Sequence, residues 1–161
     1  MVIILMGVTG SGKTTVGEAL AKDLGWTYYD ADDFHPDRNV QKMAQGTPLN
    51  DDDRWPWLKI LATEIGVWGE VEGGVILGCS ALKQSYRDIL VGGRANVHIV
   101  HLSGQKDLIA HRLETRQGHY MPASLLDSQF ETLEEPCDAL NIDIAPEPSA
   151  IASAIRRELK L

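Results

Sequence analysis

Short apolar runs alternate with longer amphipathic stretches from one end of this chain to the other. Val2-Ile3-Ile4-Leu5-Met6 is apolar at every position, which suits a strand buried on both faces. Comparable runs predict strands at 26–29, 74–79, 96–102 and 140–144. Between the first two, Val16, Leu20 and Leu24 recur every four residues and mark one face of a helix. Residues 51 to about 71 predict a long helix, with Asp51, Asp52 and Asp53 at its positive end and Pro56 placed for a first turn. Gly73-Gly74 ends that stretch. A further helix spans 105–116, with Leu108, Ile109 and Leu113 as its apolar face. Gln117-Gly118-His119-Tyr120-Met121-Pro122 reads as a mobile loop, and Pro146-Glu147-Pro148-Ser149 opens a last helix. This alternation predicts an α/β fold, a five-stranded parallel sheet with helices on both faces. With no repeat, linker or low-complexity segment, residues 1–161 read as a single domain.

The interval between the first strand and the first helix carries the chemistry. Gly7-Val8-Thr9-Gly10-Ser11-Gly12-Lys13-Thr14 fits G-x-x-x-x-G-K-[ST], the Walker A pattern, in the context that gives the pattern meaning. A strand, a glycine turn and a helix N-terminus aim a row of backbone N–H groups, Thr15 included, at one spot where the helix dipole favours an anion. Lys13 is placed for β- and γ-phosphates and the Thr14 hydroxyl for Mg²⁺, so the loop predicts a nucleoside triphosphate site of the P-loop NTPase fold. Composition narrows the acceptor. The net charge of −8 argues against a nucleic acid, which demands a basic footprint, but leaves room for a small anion. Cys79 and Cys137 lack metal-type spacing and suit a reducing compartment, and the apolar N-terminal run is too short for a signal or a membrane span. A cytoplasmic protein is expected.

No Walker B acid ends the third or fourth strand, which run into Gly78-Cys79-Ser80 and Leu102-Ser103. The second ends in acid instead, Tyr28-Tyr29-Asp30-Ala31-Asp32-Asp33. Carboxylates two apart at a strand's carboxyl edge leave on the same side, towards the ligand crevice. One suits Mg²⁺ through water and the other a substrate hydroxyl, the D-x-D arrangement of small-molecule kinases of the shikimate kinase type. The plainer alternative is an acidic loop that caps the next helix.

Further blocks are more specific. Asp30-Ala31-Asp32-Asp33-Phe34-His35-Pro36, Leu49-Asn50-Asp51-Asp52-Asp53-Arg54, Pro56-Trp57-Leu58, Cys79-Ser80-Ala81-Leu82-Lys83 with Tyr86-Arg87-Asp88, and Gln129-Phe130-Glu131-Thr132-Leu133 with Glu134-Glu135-Pro136 resemble the gluconokinase family, in the family's order. The resemblance implies ATP-dependent phosphorylation of D-gluconate at its 6-hydroxyl. It also implies a homodimer whose subunits carry a core, substrate-binding helices at about 34–70 and a short lid at about 117–128. By this resemblance Asp30 is the Mg²⁺ partner behind Thr14, and Asp32 contacts the attacking hydroxyl as an orienting group or base.

A sugar acid calls for fixed cations and hydrogen-bonding groups. Arg54 and Arg87 are the expected cations, with Lys83 and Arg38 behind them, while His35, Asn50 and Ser80 are placed to read hydroxyls. Against this, Arg54 also suits a solvated pair with Asp51 or Asp53, and Arg87 an exposed pair on its own helix. Arg112 and Arg116, one helical turn apart, lead into the 117–122 loop; Arg116 is expected on the phosphates and Arg112 near the adenine. Two solvated arginines at a helix C-terminus are the plainer reading. Trp26, Trp55 and Trp68 read as packing groups and Trp57 as a wall of the acceptor pocket. Cys79 ends a buried strand without a paired base and is not read as a nucleophile. Two other functions stay open: a kinase for another small polyol or acid such as shikimate, and a nucleotide-dependent switch.

Overall fold

A computed structural model describes residues 1–116 and 123–161; the predicted loop at 117–122, with His119 and the first part of the expected lid, lies outside the described residues. In chain order the elements are β1 (Val2–Met6), α1 (Lys13–Leu24), β2 (Thr27–Asp30), a 3-10 turn (Ala31–Phe34), α2 (Asp37–Ala44), α3 (Asp51–Trp68), β3 (Val75–Gly78), α4 (Gln84–Val91), β4 (Val97–Ser103), α5 (Lys106–Thr115), α6 (Ala123–Thr132), β5 (Leu140–Asp143) and α7 (Pro148–Leu159). The five strands form one parallel sheet in the order β2-β3-β1-β4-β5. All the predicted strands are present, displaced by a residue or so at their ends.

Every residue of β1 is buried, because both faces of the sheet are covered. Ile3 and Leu5 pack with Val16 and Leu20 of α1, Ile109 and Leu113 of α5, and Ile151 and Ile155 of α7. Val2, Ile4 and Met6 pack on the opposite side with Leu58, Leu61 and Ile65 of α3 and Leu90 of α4. The two-residue side-chain period of a strand thus feeds two separate cores from one run. Since the order turns at central β1, the crevice for a ligand lies at that strand's carboxyl end. The glycine loop follows there.

The long helix differs from its prediction in one detail. Pro56 is the sixth residue of α3, in the second turn, so it removes a helical N–H rather than filling an early position that lacks a partner. The start is fixed from elsewhere. Asn50 Oδ1 accepts from Asp53 N at 2.9 Å and the Asp53 side chain accepts from Asn50 N at 2.9 Å, a reciprocal capping box. The short helices α2 and α4 left little periodic trace, since eight residues hold barely two turns. No helix among the described residues is long and apolar enough to cross a membrane.

Candidate active site

The phosphate loop is a backbone construction. Gly10 and Gly12 lie at φ 83° and 94°, a region that residues with a Cβ rarely enter, and Gly12 caps α1. Lys13 Nζ donates to Gly7 O at 2.9 Å and to Val8 O at 3.0 Å, which fixes the ammonium across the loop. Burial pulls its pKa below the usual lysine value, against the raising influence of Cys79, Asp32 and Asp30. A cavity of about 610 Å³ opens over this loop. Thr9 to Thr15, and hence Ser11, line it, while Gly7 and Val8 stand behind the loop.

Asp30 and Asp32 face the same cavity, but not by strand parity. β2 ends at Asp30, whose Oδ1 accepts from Asp32 N at 2.9 Å and so caps the 3-10 turn. The capping alternative therefore describes the contact that folds the two carboxylates together. Their environments then separate them. Burial pushes Asp30 above the ordinary carboxylate value, whereas the neighbouring His35 ring holds Asp32 below it.

His35, expected to read a hydroxyl, is turned to Trp57 and Asp32. Its side chain is only 4% exposed, stacked on Trp57 at 4.3 Å, and its Nε2 lies 3.7 Å from Asp32 Oδ1. Asn39 Nδ2 donates to Asp53 O at 2.9 Å and lies 3.2 Å from His35 Nδ1. An amide nitrogen can only donate, so Nδ1 accepts and neutral His35 carries its proton on Nε2, facing Asp32. Trp57 in turn donates from Nε1 to Ala31 O at 2.8 Å and is buried. It stacks on His35 and does not line the cavity over the phosphate loop.

The acceptor-side cations divide sharply. Arg87 is fully buried: Nη1 donates to Ala81 O at 2.8 Å and Leu82 O at 3.0 Å, and Nη2 to Gln84 Oε1 at 2.9 Å and Glu134 O at 2.8 Å. It organises the turn after β3, where Ala81 sits at φ 45°, and does not reach the cavity. That corrects the expectation of a substrate cation. Its exposed-pair alternative fails as well. Arg54 and Lys83 instead stay about one-third exposed and converge on Asp51, at 3.6 and 3.0 Å. Tyr86 donates to the same carboxylate and lies under both cations, at 5.9 Å from the guanidinium and 5.6 Å from the ammonium. The Tyr86 and Lys83 hydrogen bonds hold Asp51 below the usual carboxylate range. Arg38 is almost wholly exposed, 3.8 Å from Asp53, and Asn50 Oδ1 is engaged in the cap, so neither converges on the cavity.

Ser80, Arg112 and Arg116 do line the cavity, and Arg112 Nη2 donates to Ala145 O at 3.3 Å. Cys79 lines it too, with its thiol pushed up to about 12 by burial, which makes it a poor nucleophile at neutral pH. Tyr28 escaped the sequence reading. Its hydroxyl lies 3.4 Å from Thr14 Oγ1, in a slot that needs glycine on both sides. A Cβ at Gly17 would sit 2.4 Å from the ring, and one at Gly78 2.3 Å from the hydroxyl. Only the pairing of β2 with β3 against α1 brings these residues together. The wall at Ala145 to Pro148 likewise had no sequence signal beyond its prolines.

Residues 2–137 match the AAA domain family. The chain is 46% identical to a probable gluconokinase of Xenopus tropicalis, over 99% of this chain and 93% of that one. It is 43% identical to the thermoresistant gluconokinase of Escherichia coli K12, over 96% of this chain and 91% of that one. Among solved structures, a gluconokinase from Sinorhizobium meliloti 1021 superposes with a TM-score of 0.79 at 39% identity, covering 98% of this chain and 94% of that one. A shikimate kinase from Bacteroides thetaiotaomicron reaches a TM-score of 0.71 at 16% identity, over 100% of this chain and 99% of that one, a likeness of fold alone.

Proposed function

The chain belongs to the gluconokinase family, and on that premise we propose that it transfers the γ-phosphoryl group of ATP to the 6-hydroxyl of D-gluconate, giving 6-phospho-D-gluconate and ADP. The observation that carries the reading is the convergence of Lys13, Thr14, Asp30 and Asp32 on one cavity, with a cation cluster at the N-terminus of α3.

Phosphoryl transfer needs positioning and electrostatic stabilisation more than covalent chemistry. The loop amides and Lys13 hold the phosphates of ATP. Asp32, whose carboxyl the neighbouring His35 holds below the ordinary value, accepts a hydrogen bond from the attacking hydroxyl and aims its oxygen at phosphorus. In a loose transition state that proton leaves late, so a strong base is unnecessary. Arg116 is assigned to the transferring phosphoryl group and Arg112 to the adenine side. Arg54 and Lys83 are assigned to the gluconate carboxylate, which would compete with Asp51 for them.

The donors also fit Mg²⁺. No group of three or more His, Cys, Asp or Glu among the described residues makes a self-sufficient cage, and the hydroxyl of Thr14 with Asp30 behind it is the sparse oxygen set of a metal carried in by phosphates. When bound, the ion would neutralise charge on the β- and γ-phosphates. Residues 34–70 are assigned to the acceptor and 117–128 to the lid. A cytoplasmic homodimer completes the proposal, testable by light scattering.

The direct test is ADP release with ATP and Mg²⁺ across a panel of sugar acids and shikimate. Turnover that needs D-gluconate and yields a 6-phosphoester supports the reading. Turnover only with another acceptor, or none above background, overturns it. Asp32→Asn is expected to lower kcat about 100-fold in a folded protein. Near wild-type activity would remove Asp32 from the reaction.

A further inference from the structure

One side chain of α6 reaches the phosphate loop. Gln129 Oε1 accepts from Thr9 N at 2.7 Å, and Gln129 Nε2 donates to Thr9 Oγ1 at 2.9 Å, across 120 residues of sequence. Because a backbone N–H can only donate, the amide's orientation is fixed. Both ends of one amide thus grip the backbone and the side chain of a single loop residue.

The same segment is anchored a few residues further on. Glu134 N donates to Leu82 O at 2.8 Å, its Oε1 accepts from Gln84 N at 2.9 Å, and its carbonyl accepts from the buried Arg87 at 2.8 Å. Ser80 O accepts from Gly7 N at 3.3 Å. The contacts close a ring that runs from Gly7 and Thr9 through Gln129 and Glu134 to the turn at 80–84, and back to Gly7. Thr9 and Ser80 both line the cavity, one on the phosphate side and one on the β3 side.

We infer that Gln129 is a positioning residue for phosphoryl transfer, clamping Thr9 so that the first turn of the phosphate loop keeps its register with the Ser80–Lys83 turn. The amides of Gly10 to Thr14 then converge on the phosphates before ATP arrives. Glutamine suits the task because it supplies one donor and one acceptor without charge. A glutamate there would lose the donor and set an anion beside the phosphates. The inference rests on the kinase reading, but not on the identity of the acceptor.

The test is a double-substitution cycle of Gln129→Leu with Thr9→Val. It reads ADP affinity by calorimetry, kcat and KM with ATP, Mg²⁺ and D-gluconate, and Tm. Gln129→Leu is expected to weaken ADP binding and lower kcat, each about tenfold, with the gluconate KM within about twofold. Thr9→Val added to it should change either value by less than about twofold. ADP affinity and kcat within about twofold of wild type in Gln129→Leu would overturn the inference. Independent, multiplying effects of the two substitutions, or a lower Tm alone, would do the same. If Gln129→Leu does not fold, Gln129→Glu, which keeps the acceptor and loses the donor, decides by the same criterion. Should wild type bind ADP but not phosphorylate gluconate, the acceptor reading falls while the calorimetric arm still judges the clamp.

Discussion

The two halves of the site are built from different materials. The nucleotide side is backbone: glycines at positive φ, a helix N-terminus, and an ammonium pinned by two loop carbonyls. The proposed acceptor side is side chain: Arg54 and Lys83 gathered on Asp51 over Tyr86, and Asp32 beside His35. A backbone cradle tolerates few sequences and gives much the same geometry wherever it occurs. An ion cluster can be rewired one residue at a time, so discrimination between acceptors belongs there. Its cations are already partnered, which lowers their pull on a ligand but holds them in place before it binds.

The comparison breaks most visibly at Lys13. Lys13→Met is expected to lower kcat by about a thousandfold while the fold survives, because the charge acts on the phosphates rather than on packing. Steady-state kinetics with circular dichroism would check it, and loss of folded signal would count against the division. Next comes the contrast between two arginines. Arg87→Met strands the carbonyls of Ala81 and Glu134 and should cost roughly 3 kcal/mol of stability in a urea titration. Arg54→Met should leave stability nearly intact and raise the gluconate KM about tenfold, with the ATP KM within about twofold. Reversal of those outcomes would return Arg87 to the acceptor.

The smallest effect separates Asp30 from Asp32 and Asp51. Asp51 and Asp32 titrate below the ordinary 3.8, so the stability they confer is present at neutral pH and is lost as pH falls through their lowered values. Asp30 has the opposite sign. Its value is raised by burial, so its ionised form opposes folding at neutral pH. Asp30→Asn, which keeps an N-cap oxygen, should therefore raise Tm slightly while depressing kcat. A lower Tm in thermal melts at pH 7 would show that the carboxylate stabilises the fold.

How much of this was legible depends on the range of the interaction concerned. The phosphate loop declares itself because its constraint is local, a fixed glycine spacing between a strand and a helix. The acids after β2 were legible as a pair, yet the reason they converge was not, because the 3-10 turn replaces the strand geometry that the spacing implies. Arg87, His35 and Trp57 sit inside recognisable blocks, and a block places a residue in the neighbourhood without saying which way its side chain faces.

By itself, then, the sequence determined the alternation of strand and helix, the phosphate cradle and the small-kinase class. The alternation and the cradle follow from periodicities and spacings within one or two elements, and the class from the resemblance of later blocks to a known family. Only the tertiary structure decided which arginine is buried, which histidine nitrogen carries the proton, why Gly17 and Gly78 must make room for Tyr28, and that Gln129 holds Thr9. Each of those depends on residues far apart in the chain meeting at a few ångströms, and side-chain direction there is set by packing and hydrogen-bond satisfaction rather than by local pattern.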